Sequence, residues 1–259
     1  MDQYFSPGNI LSAIEIKIRN SISLNTPYGS KNPPTTAKRK KRTQRNYQTH
    51  KDYICDDVLD DTQKNWEQIL PQQSGKQYRH AKLVLFRNYT QSGCGSAESA
   101  TGPFYCPEDE KVYIDLGFYD ELKQRFGAPG QFAQAYVLAH EVGHHVQKIL
   151  GIEAKVRRLQ EDNPRQQNPL SVRMELQADC LAGLWAHSTQ ERGLLESGDV
   201  ESALGAAAAV GDDRLQKMAT GHVSPESFTH GTSQQRMNWF NKGLSSGSIA
   251  ACNTFDSTE

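Results

Sequence analysis

One stretch, YVLAHEVGHHVQKIL (residues 136–150), constrains the fold more than any other. Its apolar residues recur with the period of an α-helix that has a face to bury. The same stretch carries His140, Glu141 and His144, and a buried helix does not take up titratable side chains unless they have partners. Residues i and i+4 share a helix face, about 6 Å apart at the backbone, so the two imidazoles of this H-E-x-x-H pattern can converge on one metal at about 2.0–2.1 Å. Glu141 lies about 100° around the helix from His140. That is too far round for a third ligand, but within reach of a water activated at the metal, whose proton it could take and later return to a leaving amine. The plainer alternative is a pair of ordinary histidines on an ordinary helix.

A catalytic zinc needs a third protein ligand and an open position. RMELQADCLAG supplies Glu175 and Asp179, again four apart on one predicted helix. That helix is otherwise apolar (Met174, Leu176, Ala178, Leu181, Leu184), so two carboxylates on it call for partners. Glu175 as metal ligand, and Asp179 as hydrogen-bond acceptor for a ligand histidine, would satisfy both. His145, five residues from His140, points off the metal face and reads as a supporting or solvent-facing side chain. Gly143 costs about 1 kcal/mol mid-helix relative to alanine, which a close crossing by the Glu175 helix would explain. A peptidase also needs a donor for the oxyanion. SFTHGTSQQRMNWF offers His230 and Arg236 in a polar turn entering a helix, and His222 is a weaker candidate.

The remainder of the chain supports one domain of α+β class, predominantly helical with a small sheet, over residues 53–259, preceded by a basic, disordered arm over residues 1–52. Within the arm, Ile10, Ile14, Ile18 and Ile22 suit a helix and Ile14, Ile16 and Ile18 a strand. The run from Lys38 to Arg45 has almost nothing to bury. No aromatic or glycine interleaving makes that run a nucleic-acid module, so no nucleic-acid partner is expected. No run of about 18 apolar residues predicts a transmembrane helix, and no secretory leader is read at the start.

Predicted elements follow the periodicity. Helices are expected over residues 56–70, with Pro71 just past the end, over a short stretch stopped by Gly127, and over 131–150. Another runs from an N-cap at Ser171 to a C-cap at Gly193, followed by one through DVESALGAAAAVGDDRLQKM and a last one through SQQRMNWFNKG. Strands are expected in HAKLVLF and KVYIDLGF, with SGCGSAESATGPFYC as loop. An extended substrate could add to an exposed edge of KVYIDLGF, with Tyr113 towards the cleft; a plain core strand fits the alternation equally well. Of the five cysteines, Cys94 could pair with Cys106 and Cys180 with Cys252, or all could be reduced.

The segments SGCGSAESATGPFYCPEDEKVYIDLGFY, AHEVGHHVQ, RMELQADCLAGLWAH, GDDRLQ and SFTHGTSQQRMNWF occur in this order and together resemble the bacterial putative neutral zinc metallopeptidase family over roughly residues 56–255. The resemblance implies a minimal, gluzincin-like zincin domain acting on peptide or protein substrates. His140, His144 and Glu175 would be its Zn2+ ligands, Glu141 its catalytic base and Asp179 the support behind a ligand. THGTSQQR is also similar to the H-x-x-x-x-x-R element of membrane metalloproteases of the prenyl-protein type, which implies His230 and Arg236 near the active site. Family members commonly carry a membrane-spanning helix ahead of the peptidase domain, implying membrane association or an extracytoplasmic location; residues 1–52 offer no such helix. The competing reading is a non-catalytic protein braced by zinc on the same scaffold.

Overall fold

The computed structural model describes residues 36–98, 102–124 and 130–256, with side chains from Cys55 onward except that of Lys123. The first element, α1, runs Thr36–Ser74. Residues 36–52, expected as part of a disordered arm, are therefore helical in backbone. The rest of the arm, with its isoleucine repeat, lies outside the described residues. Cys55, Leu59, Trp66 and Leu70 are buried along one face of α1, the stripe that lays this helix on the core. Pro71, expected just beyond the helix, sits in its last turn instead. A proline there loses one intrahelical bond, and the helix stops within a turn, where the Gly75 N–H donates to the Pro71 carbonyl.

The sheet has the order β1 (Lys82–Phe86), β5 (Lys111–Asp115), β4 (Phe104–Cys106). β1 runs parallel to β5 with Lys82 opposite Lys111, and β4 runs antiparallel to β5 with Phe104 opposite Tyr113. Of the two readings left open for KVYIDLGF, the structure shows the core strand. β5 is the central strand, with Val112, Tyr113, Ile114 and Asp115 all buried, so it presents no free edge to a substrate. Tyr113 stacks on Phe104 and donates to Asp109 at 2.6 Å, and so is taken up within the sheet. The stretch read as loop, residues 92–106, instead holds β3 (Gly95–Glu98), which forms a hairpin with β2 (Tyr89–Ser92) just ahead of it, and β4 itself. The Cys94–Cys106 disulfide ties the hairpin turn to β4.

The remaining helices are α2 (Leu116–Gln124), α3 (Gln131–Leu150), α4 (Ile152–Asp162), α5 (Gln167–Glu191), α6 (Asp199–Ala209), α7 (Asp212–Thr220) and α8 (Ser233–Ser246). The predicted stop of α2 at Gly127 lies outside the described residues. α3 has its predicted limits and ends on Gly151 at φ 78°. α5 starts before Ser171, whose hydroxyl donates to the Gln167 carbonyl inside the helix rather than capping it. The alanine-rich stretch expected as one helix is two, broken at Val210–Gly211. The start of α8 carries the reciprocal Thr232–Gln235 cap.

α5 is the central column. It is held near its middle by the Cys180–Cys252 disulfide and packs along α8, and Cys55 remains a buried thiol. A Cβ on Gly143 of α3 would lie 3.1 Å from the Ala178 carbonyl oxygen of α5. The absence of a side chain therefore lets the two helices cross closely, as the sequence suggested. No helix among the described residues is long and apolar enough to cross a membrane.

Candidate metal centre

Tyr136, His140 and His144 stand one above another on α3, and α5 passes them where Gly143 permits the crossing. The crossing brings Glu175 opposite the histidines. Nε2 of His140 lies 3.1 Å from Oε2 of Glu175, and Nε2 of His144 lies 3.4 Å from Oε1. The imidazole planes are at 90° with centroids 4.8 Å apart. One donor atom from each of the three residues falls within 4.8 Å of the others, the only such group of three or more among the described residues.

Each imidazole has its other nitrogen occupied. His140 Nδ1 donates to Oδ1 of Asp179 at 2.9 Å, and His144 Nδ1 donates to Oε1 of Gln147 at 2.9 Å. Both Nε2 atoms are thereby turned to the same point. Burial works against a charge on His140, but the Asp179 and Glu175 carboxylates outweigh it and lift its pKa to about 10. A metal taken up here displaces that proton. Glu175 is held well below the usual carboxylate range: burial opposes ionisation, and the two imidazoles overcome it. Glu141 is buried beside them and accepts no hydrogen bond from a described residue. Burial pushes its carboxyl above the ordinary range.

Behind His140, Asp179 is fully buried and accepts four hydrogen bonds. Tyr136 OH donates at 2.5 Å, His140 as above, Arg236 Nε at 2.8 Å and Arg236 Nη2 at 2.9 Å. Burial raises the Asp179 pKa, yet Arg236 and His140 bring it below the ordinary value. Arg236 also donates to the Val210 carbonyl at 3.3 Å. The guanidinium is spent on this brace rather than turned out to a substrate.

His230 lies on the turn before α8. Asp212, the first residue of α7, accepts the backbone N–H groups of Thr229, His230 and Gly231 on one oxygen at 2.6–3.0 Å. Its other oxygen is 3.2 Å from His230 Nδ1. That hydrogen bond is the main reason the His230 pKa is raised. His140, Glu141, His144, Glu175, His230 and Arg236 all line one cleft of about 1040 Å³.

The family model described as "Putative neutral zinc metallopeptidase" matches residues 15–255. The chain belongs to that family. The chain is 59% identical over 199 residues to the uncharacterized protein YpfJ of Escherichia coli K12, covering 76% of this chain and 69% of that one. It is 40% identical over 205 residues to the uncharacterized protein Rv2575 of Mycobacterium tuberculosis H37Rv, covering 75% and 67%. No solved structure gives a significant match.

The donor set of this family member suits the metal its family name carries. Two donors each about 2.0–2.1 Å from a shared tetrahedral ion lie about 3.3 Å apart, close to both nitrogen-to-oxygen separations found here. Two other histidines lie elsewhere. His145 does point off the metal face but is fully buried, not solvent-facing: Nε2 donates to the Arg79 carbonyl at 2.6 Å, so Nδ1 accepts from Tyr105 OH at 2.8 Å. It fastens α3 to the sheet. His222 is exposed beyond the end of α7 and does not line the cleft. Sequence reasoning missed Tyr136, Gln147 and Asp212. Tyr136 was signalled only by standing one turn ahead of His140, and Asp212 only by opening a helix after glycine.

Proposed function

We propose that this chain is a zinc-dependent peptidase that hydrolyses peptide bonds, with His140, His144 and Glu175 holding the zinc. The observation that carries this reading is the convergence of three donor atoms in an open cleft beside a buried carboxylate, Glu141, which has no hydrogen-bond donor of its own. Zinc, when bound, supplies Lewis acidity that acidifies water and polarises the scissile carbonyl.

Glu141 takes the proton of the attacking water and passes it to the leaving amine. Its burial favours the neutral acid, which makes it a stronger base than an exposed glutamate. Arg236 and Tyr136 hold Asp179, and Asp179 keeps the His140 ring in the tautomer that presents Nε2. β4 pairs only with β5 among the described residues, and Phe104 and Tyr105 line the cleft. An extended peptide therefore has a strand edge to lie along at β4, not at β5. The test is metal analysis of purified protein together with digestion of a proteome-derived peptide library. Stoichiometric zinc, with cleavage that stops on chelation and returns with zinc, is expected. A folded zinc protein that cleaves nothing would favour the zinc-braced binding protein instead.

His230 is the oxyanion donor in this reading. With Nδ1–H given to Asp212, Nε2 can donate only when the ring is protonated, and the raised pKa keeps that form to higher pH than for a free imidazole. Activity should therefore fall on the alkaline side as His230 loses its proton. His230→Ala is expected to lower kcat by about 10²–10³. Asp212→Asn, which removes the main cause of the raised pKa, should move the alkaline limb to lower pH. A pH–rate profile unchanged in both variants would remove His230 from the mechanism.

A further inference from the structure

We infer that Gln147 and Gln177 form a directional amide relay that positions His144 as a metal ligand, so that both are positioning residues for zinc. The inference rests on the proposed metal site. The relay can be read from its far end, where no choice exists. The Cys252 backbone carbonyl can only accept, so the contact at 2.9 Å is Gln177 Nε2 donating to it. Gln177 Oε1 is then the acceptor for Gln147 Nε2 at 3.0 Å. Gln147 Nε2 spends its second hydrogen on the Met174 carbonyl at 2.8 Å, which fixes that amide independently. Gln147 Oε1 is therefore the atom facing His144, and it accepts from Nδ1–H. The lone pair of His144 is forced onto Nε2, the nitrogen turned to Glu175.

Both glutamines are buried, at 0% and 5% exposure, on helices where an apolar side chain would bury at lower cost. Their polar groups are accounted for along one line, from a ring nitrogen on α3 through α5 to the C-terminal stretch. That stretch is joined back to α5 by Cys180–Cys252. The two ligands are thus backed by different chemistry. His140 rests on a charged carboxylate, whereas His144 rests on neutral amides that orient it without adding charge.

The test uses the full chain, with zinc affinity measured by competition against a chromogenic chelator. The tautomer of His144 is read by nitrogen-15 imidazole correlation spectra, with and without zinc. Gln147→Met keeps the side-chain volume and removes the relay. It is expected to weaken zinc binding by about 10–100-fold and to abolish the fixed Nδ1–H form of His144. Gln177→Met leaves the Gln147 bond to Met174 in place and should weaken binding less, by several-fold. This milder variant decides the matter if Gln147→Met does not fold. Wild-type zinc affinity and tautomer in the folded variants, with only a lowered melting temperature, would overturn the inference and leave the glutamines as packing. None of these readouts needs a substrate, and the tautomer is read in metal-free protein too. A chain that hydrolyses nothing would therefore sink the peptidase reading without touching this one.

Discussion

Replacing Glu141 by glutamine is expected to lower kcat by about 10²–10⁴ while zinc stays bound at wild-type stoichiometry. The separation of the two effects follows from position. The three converging donor atoms belong to His140, His144 and Glu175, and Glu141 contributes none of them. It sits a hundred degrees round α3, buried at 6% exposure, with its carboxyl raised by that burial. An amide has the same shape and remains polar, so the packing is kept. What it cannot do is take a proton at neutral pH. Quenched-fluorescence peptide cleavage measured beside metal content distinguishes the cases. Loss of both zinc and turnover would mean that Glu141 holds the site together. Retention of both would mean that some other group moves the proton. An Asp substitution, which keeps the carboxyl but withdraws it by one methylene, should recover only part of the loss, because proton transfer depends on reach.

How much of this site could be read from the chain depended on whether its parts are local. His140, His144, Glu175 and Asp179 were legible because each pair is four residues apart on one helix, and helical geometry carries such a pair to one face without knowledge of the rest. That the two helices would meet was hinted at by one residue, Gly143, whose missing side chain makes sense only against a close neighbour. Gln147 and Gln177 were not legible. They lie 30 residues apart and look like ordinary polar positions until α3 and α5 are packed. Asp212 is similar, since its bonds to residues 229–231 exist only once α7 and the turn before α8 are side by side.

Strand pairing stayed open for the same reason. The alternation in KVYIDLGF suits an edge or a central strand alike, and only the parallel approach of β1 decides between them. The β2–β3 hairpin escaped notice because its four-residue strands are mostly polar and carry little hydrophobic alternation. α5 begins at Gln167, ahead of the expected Ser171 cap, and Pro169 is tolerated there because a helix's first turn needs no N–H from it.

Arg236 presents the opposite case, a residue whose neighbourhood was legible and whose partner was not. Removing its guanidinium, as in Arg236→Met, is expected to destabilise the metal-free protein by about 3–5 kcal/mol. The side chain is 3% exposed and supplies two of the four hydrogen bonds that Asp179 accepts. Without it a fully buried carboxylate keeps only Tyr136 and His140. The pH dependence has a definite sign. Asp179 is held below its ordinary pKa in the folded protein, so its contribution to stability is present above about pH 4 and lost as pH falls through the lower folded value. With Arg236 gone, burial favours the protonated acid, so the gap between wild type and variant should be largest near neutrality and should narrow on acidification. Urea unfolding in the presence of chelator measures this without the stabilisation that bound zinc would add. Arg236→Lys, a single point charge in place of a two-pronged donor, should recover only part of the loss. If Arg236 instead served the oxyanion directly, Arg236→Met would depress kcat and leave unfolding unchanged. A double-mutant cycle with Asp179→Asn separates the two. Strong coupling in unfolding free energy places the arginine behind His140, where it steadies the ring that faces the metal and, through the Val210 carbonyl, the corner from which Asp212 holds His230.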